Sequence, residues 1–360
     1  MAATLTVPAA GEAASIYVTR GVVVYSAGAG EENAVELTVT ETFDPEFFEL
    51  NMDVTVRDNG ALIVAGTGCT ALAPSEALCQ VSHAASGWAD WFAAYLRGEA
   101  DTFTAAGERT DVGNGVTVFG GAGADELEGT EEADTLRGGP GDDMLDGRAG
   151  TVPLDKFILG GDRLFGGAGA DLLSGGDGGH DELRGGLGAD TLRGGRGPND
   201  VVSYQGLTDR VVVRLNGRRD DGRPGERDLV ARDVEDVMSG SGNDLLIGND
   251  RGNWLAGGPG DDALIARGGR DLLEGDPGGD SLRGGFGHDR IYGDSWHPRG
   301  GWWPSRVGRD TALGGAGNDR FEMLDRKRDR VVGGTGRDRA RVDAGRDLLF
   351  QIELILDAAF

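Results

Sequence analysis

The chain has 360 residues, a formal net charge of -26, 66 glycines and only 38% hydrophobic residues. Such acidity argues against nucleic acid as a partner and for metal cations. The glycines follow no Gly-X-Y period, which excludes collagen, and no run of 18 apolar residues exists, so no transmembrane helix is expected. Low hydrophobicity with high charge can signal disorder. Here, however, glycine and aspartate recur at fixed spacing, which predicts a repeat architecture.

Residues 1–110 lack the repeat and read as a β-rich cap region. Ile16–Tyr25, Ala34–Thr40 and Asp53–Arg57 are rich in valine, threonine and tyrosine between Gly, Asn and Pro punctuation, which predicts strands. Ser86–Leu96, with Trp88, Trp91, Phe92 and Tyr95, reads either as a short helix or as an aromatic-rich strand. Cys69 and Cys79 are the only cysteines. A close pair in such a chain predicts a disulfide and an oxidising compartment, the alternative being two unrelated buried thiols. The N-terminus lacks a basic n-region and an apolar h-region, so the chain reads as cytosolic or as a mature form without its signal. The cysteine pair and the cation reading favour a secreted, extracellular protein.

The repeat begins at Gly120-Gly-Ala-Gly-Ala-Asp-Glu-Leu-Glu128 and continues, with variations, to the last residues. Aspartates keep a nine-residue register within each run: Asp125, Asp134 and Asp143; Asp162 and Asp171; Asp181, Asp190 and, one residue late, Asp200; Asp244; Asp262, Asp271, Asp280 and Asp289; Asp310 and Asp319; and Asp338. Two residues after nearly every one stands an apolar residue, such as Leu127, Leu145, Leu264 or Phe321. Asp329 and Asp347 share the register but lack a full Gly-rich turn. Inserts divide the array into blocks: 111–203 first, 204–238 an insertion or linker, 239–293 second, 294–308 a Trp-rich insertion, and 309–360 third, ending in an apolar segment read as a cap. A shorter distortion covers 147–159.

In each unit Gly-Gly-x-Gly-x-Asp makes a turn and x-apolar-x a short strand whose middle residue points inward. Two units make one coil, so alternate aspartates stack: Asp125 over Asp143, Asp262 over Asp280. Parallel strands lie about 4.8 Å apart, and two carboxylates at that distance repel by about 0.9 kcal/mol even in water. Calcium reverses the sign. It takes six to eight oxygens, which two aspartates and the carbonyls of two Gly-rich turns can supply. Magnesium demands tighter octahedral geometry, and zinc is disfavoured because the array has no His/Cys clusters. All sixteen aspartates of the register list are therefore candidate ligands for multiple Ca²⁺ ions. Asn253 replaces aspartate in one unit and predicts a weaker site. Ala312 and Ala340 replace the apolar residue and predict loose packing. Asp220, Asp221, Glu226 and Asp228 read as a further ion site or as a solvated loop.

These nonapeptides resemble the hemolysin-type calcium-binding, or repeats-in-toxin (RTX), family over about 120–350. The resemblance implies an all-β, right-handed parallel β-roll with Ca²⁺ between successive turns, in a secreted protein. It also likens 204–247 to the linkers between RTX blocks.

No His-Glu-x-x-His, Gly-x-Ser-x-Gly or Walker pattern is present. His83, His180, His288 and His297 are scattered, so the chain reads as non-enzymatic, with calcium coupled to folding after export. A calcium-rigidified adhesin, using Trp296, Trp302 and Trp303 on a glycan or cell-surface partner, is the alternative, and a hydrolase in the first 110 residues a third.

Overall fold

The computed structural model describes residues 13–19, 22–28, 32–44, 49–59, 61, 63–65, 67–83, 92–107, 115–148, 161–294, 308–343 and 345–357. Every regular element among them is a β-strand. The chain divides into two compact units, Met1–Pro198 and Asn199–Phe360.

The first unit contains two sheets. Val116–Ala122, Thr135–Pro140, Arg163–Ala168 and Glu182–Leu187 pair in parallel, in that order. Glu126–Glu128, Met144–Asp146, Leu172–Asp177 and Thr191–Arg196 form the second parallel run. Apolar positions lie opposite one another in register: Val118, Leu136, Leu164 and Leu183 on one side, Leu127, Leu145, Leu173 and Leu192 on the other. Each is no more than 1% exposed. This is a parallel β-roll, with a core made of two stacked aliphatic columns.

The predicted three-residue strand holds for Glu126–Glu128 and Met144–Asp146. Other repeat strands of the first unit reach six or seven residues, as in Arg163–Ala168, and run on into the glycines, whereas the second unit keeps three-residue strands at Leu245–Ile247, Trp254–Ala256, Leu272–Glu274 and Arg290–Tyr292. Gly139 pairs with Gly167 and Gly167 with Gly186, because residues without side chains let neighbouring backbones keep their hydrogen-bonding distance.

The N-terminal strands belong to the same two sheets. Phe92–Gly98 pairs in parallel with Val116–Ala122 and with Val22–Ser26, and Thr102–Gly107 pairs in parallel with Glu126–Glu128 and with Ala34–Asp44. Antiparallel pairings add Ala14–Thr19 to the first sheet, and Glu49–Asp58, Glu76–His83 and Cys69–Ala73 to the second. Cys69 and Cys79 face each other across the last pair as a disulfide. The segment read as helix or strand is strand from Phe92 onward. Trp88 and Trp91 lie outside the described residues, as do residues 149–160 of the first distortion.

The second unit repeats the plan. One sheet runs through Val201–Ser203, Asp236–Met238, Trp254–Ala256, Leu272–Glu274, Arg290–Tyr292, Arg320–Met323, Arg339–Val342 and Leu354–Asp357. The other runs through Val212–Arg214, Leu245–Ile247, Ala263–Gly269, Ser281–Gly287, Thr311–Ala316, Arg330–Thr335 and Leu348–Phe350. The 204–238 insertion thus contributes strands to the roll, plus a short antiparallel pair, Arg219–Asp221 with Asp228–Val230. Ala312 and Ala340 are as fully buried as the leucines they replace, and wholly buried Phe321 lies in register beside Ala340. The last apolar segment adds strands in the same parallel register, and Leu354 and Ile355 remain 44% and 49% exposed.

Because the core is one residue wide on each side, a truncation should be felt fully. Leu145→Ala is expected to cost about 2–5 kcal/mol, read as a lowered urea midpoint in saturating calcium. A loss below about 1 kcal/mol would contradict this packing.

Candidate metal centre

All sixteen aspartates of the sequence register are buried. Twelve of them donate their backbone N–H to the Oδ1 of the aspartate one coil on, which sets them in rows. In the first unit, Asp101 N donates to Asp125 at 2.9 Å, Asp125 N to Asp143 at 2.9 Å, Asp143 N to Asp171 at 2.9 Å and Asp171 N to Asp190 at 3.0 Å. Asp134 N donates to Asp162, and Asp162 N to Asp181, both at 2.7 Å. In the second unit the chain of donations runs Asp244, Asp262, Asp280, Asp310, Asp329 and Asp347. The other row runs Asn253, Asp271, Asp289, Asp319 and Asp338. Asp200 N donates to Glu235 instead, at 3.3 Å. A regular coil separates partners by 18 residues, whereas the inserts stretch this to 28 before Asp162 and to 30 before Asp310. The rows absorb both inserts without losing register.

Oδ1 is thus spoken for, and Oδ2 decides the chemistry. In ten turns that a glycine faces it is buried with no hydrogen-bond partner: Asp125, Asp143, Asp162, Asp171, Asp262, Asp280, Asp289, Asp310, Asp319 and Asp338. An unpaired buried carboxylate oxygen is costly. In each of the ten a Cβ built on a facing glycine would collide with the same Oδ2; that glycine stands five residues earlier in eight of them, and is Gly147 for Asp162 and Gly293 for Asp310. For Gly120, Gly257 and Gly284 the carbonyl of the next coil's first glycine lies 2.9 Å from that point, and for Gly147, Gly166 and Gly314 it lies 2.6 Å away. Carboxylate and carbonyl oxygens therefore face one small space. In the turn itself, Gly121 and Gly123 take φ of 120° and 138°, a backbone that side chains resist. Among the described residues no three His, Cys, Asp or Glu side chains are grouped to hold a metal on their own. A cation here must draw on carbonyls as well, which suits a hard, oxygen-preferring ion and not zinc.

Other turns close themselves. Thr130 donates its N–H to Asp134 Oδ2 at 2.6 Å, and its hydroxyl to the same carboxylate. The Ser239 hydroxyl donates to Asp244 Oδ2 at 2.5 Å. Asn249 N donates to Asn253 Oδ1 at 2.9 Å, and Asn253 Nδ2 donates to the Glu235 carbonyl at 2.8 Å. In the second unit's insertion, Asp221 accepts N–H groups from Arg214 and Val230, Tyr204 donates to Asp228, and Arg223 pairs with Glu226. Its carboxylates are engaged by protein donors. His288 Nδ1 accepts the Asn318 N–H at 2.8 Å, a structural contact. His297 and the Trp296, Trp302 and Trp303 insertion lie outside the described residues.

Sequence reasoning passed over Asp101 and set aside Asp329. Both are 1% exposed, both sit in the rows, and both leave Oδ2 without a partner. The signal is aspartate two residues before an apolar residue, Asp101-Thr-Phe103 and Asp329-Arg-Val331, without the glycines.

A family model described as the RTX calcium-binding nonapeptide repeat matches residues 119–151, 159–178, 176–201, 238–273, 265–295, 307–322 and 326–350. No curated protein matches the sequence.

Burial pushes the carboxyls of the ten unpartnered turns, and that of Asp271, up from their ordinary value of 3.8. Asp171, Asp262 and Asp271 rise to about 7, and Asp280 to about 9, where repulsion from Asp310, Asp262 and Asp294 adds to desolvation. Free of cations, the folded chain holds more protons than the unfolded one between about pH 4 and these values, so its stability falls as pH rises through that window. In a chelator, strand content and the urea midpoint should be higher at pH 5 than at pH 8. A midpoint that rises with pH would contradict the burial of these groups.

Proposed function

Taking as premise that this chain carries RTX calcium-binding repeats across residues 119–350, we propose that calcium is the folding switch of a secreted protein. The observation that carries this reading is the set of ten buried Oδ2 atoms without protein partners. A folded roll free of metal must either protonate these groups or bear their desolvation and mutual repulsion. A divalent ion shared by carboxylate and glycine carbonyl oxygens removes both costs. The residues that would hold it are the ten aspartates of the glycine-headed turns and the carbonyls facing them. The ion would supply charge neutralisation and bridging between coils.

Magnitudes support the switch. Extracellular calcium modules bind at about 10⁻⁴–10⁻³ M. At tenfold excess over Kd, one site contributes about 1.4 kcal/mol, and ten independent sites about 14 kcal/mol. That is comparable to the whole stability of a typical domain, about 5–15 kcal/mol. Low intracellular calcium would leave the chain unfolded for export, and extracellular calcium would fold it. The Cys69–Cys79 disulfide fits an oxidising destination. No helix among the described residues is long and apolar enough to cross a membrane. The acidic side chains are accounted for by this role, and the chain is read as non-enzymatic.

Circular dichroism at neutral pH should show strand content appearing with calcium at millimolar concentration and lost on chelation, magnesium being a poor substitute. Unchanged strand content after thorough chelation would overturn the coupling.

A further inference from the structure

The aspartate rows also contain acidic turns without a glycine at the head. Asp101, Asp271 and Asp329 are buried, keep the row's hydrogen bond and leave Oδ2 unpartnered. Five residues before them, where eight of the ten have glycine, stand Leu96, Ala266 and Leu324. At Gly120 or Gly257 an added Cβ would approach the turn's own Oδ2 closer than the 3.0 Å that real Cβ atoms keep. In these three turns that Cβ exists.

The Ala266 turn isolates the effect. Arg267 and Gly269 hold φ of 81° and 126° in its second and fourth positions, as Gly121 and Gly123 do in a full unit. Arg267 is in register with Gly285, and the Ala266 carbonyl faces the space beside Gly248 at 2.8 Å, as the glycine carbonyls do elsewhere. Ala266 itself is fully buried. The turn therefore presents the backbone and the aspartate of the glycine-headed turns, and differs from them by one buried methyl group at the position where a Cβ on glycine would meet Oδ2.

We infer that, in turns whose aspartate Oδ2 has no protein donor, the residue at the first position selects which aspartates take calcium. There glycine leaves the turn open, and a side chain closes it even where aspartate and carbonyls are in place. Asp271, Asp101 and Asp329 are then closed positions in an otherwise loaded row, and Ala266→Gly opens a further calcium site at Asp271. This rests on the calcium reading above and adds a rule for its sites.

The test counts calcium ions bound per full-length chain, by native mass spectrometry and equilibrium dialysis at saturating calcium, for wild type, Ala266→Gly and Gly257→Ala. Gly257 is not in the left-handed region, so alanine there acts through its methyl group and not through backbone strain. Ala266→Gly should gain one ion and Gly257→Ala should lose one, with amide protection of the remaining coils retained. If Gly257→Ala fails to fold, Ala266→Gly decides the matter, since it only removes a methyl group. Unchanged counts in Ala266→Gly, with wild type loaded, overturn the selector rule and leave the calcium reading standing. A wild-type chain that takes up no calcium overturns both.

Discussion

Everything in this molecule depends on a carboxylate held at the inner edge of each turn, with one oxygen bonded to the neighbouring coil and the other turned toward glycine. The first oxygen sets the register. Asp143 Oδ1 accepts from Asp125 N and Asp319 Oδ1 from Asp289 N at the same 2.9 Å, although the first pair is 18 residues apart and the second 30. A bond that specific ties each coil to the next whatever the number of residues between them, so the aliphatic columns keep their register across the inserts. The second oxygen carries the cost, since burial without a partner is unfavourable.

The nine-residue register made the two columns and the stacking of alternate aspartates legible before any coordinates. Leu127 over Leu145 and Asp262 over Asp280 follow from spacing alone. What spacing could not give was the difference between turns that look alike. Asp134 and Asp244 stand in the same register as Asp125, yet Thr130 and Ser239 already satisfy them. A threonine after the first glycine, or a serine in its place, reads as a mild departure from the motif. Physically it supplies the missing donor. In the other direction, Asp101 lacks the glycines but occupies the row, because Arg97 and Glu99 take the positive φ, 87° and 79°, that glycine would adopt there. Propensity argues against such a backbone, and the pairing of Phe92–Gly98 with Val116–Ala122 imposes it.

The same pairing explains why a change in composition near residue 110 is not a change of sheet. Repeat-poor sequence on one side and repeat-rich sequence on the other share parallel strands. The polar row also continues past the glycines: Asn33 donates from its N–H and its Nδ2 to Asp101 Oδ1, and the Tyr25 hydroxyl donates to Asp58. A buried carboxylate row needs donors at its end, and here the N-terminal strands bring them.

If calcium folds the roll as proposed, the self-closed turns bear on how it can be started. Stability in a solenoid is close to a sum of each repeat and its contacts with neighbours, so a coil whose turns all need an ion has nothing to stack on until an adjacent coil is formed. In the second unit Asp244 and Asn253 are consecutive in the repeat, one in each row, and both are satisfied by protein donors. One complete coil there needs no cation. It lies directly against Asp262 and Asp271, whose Oδ1 atoms take its backbone N–H groups. A coil complete in itself, bonded to coils that are not, supplies the neighbour contact that the first ion-dependent coil requires.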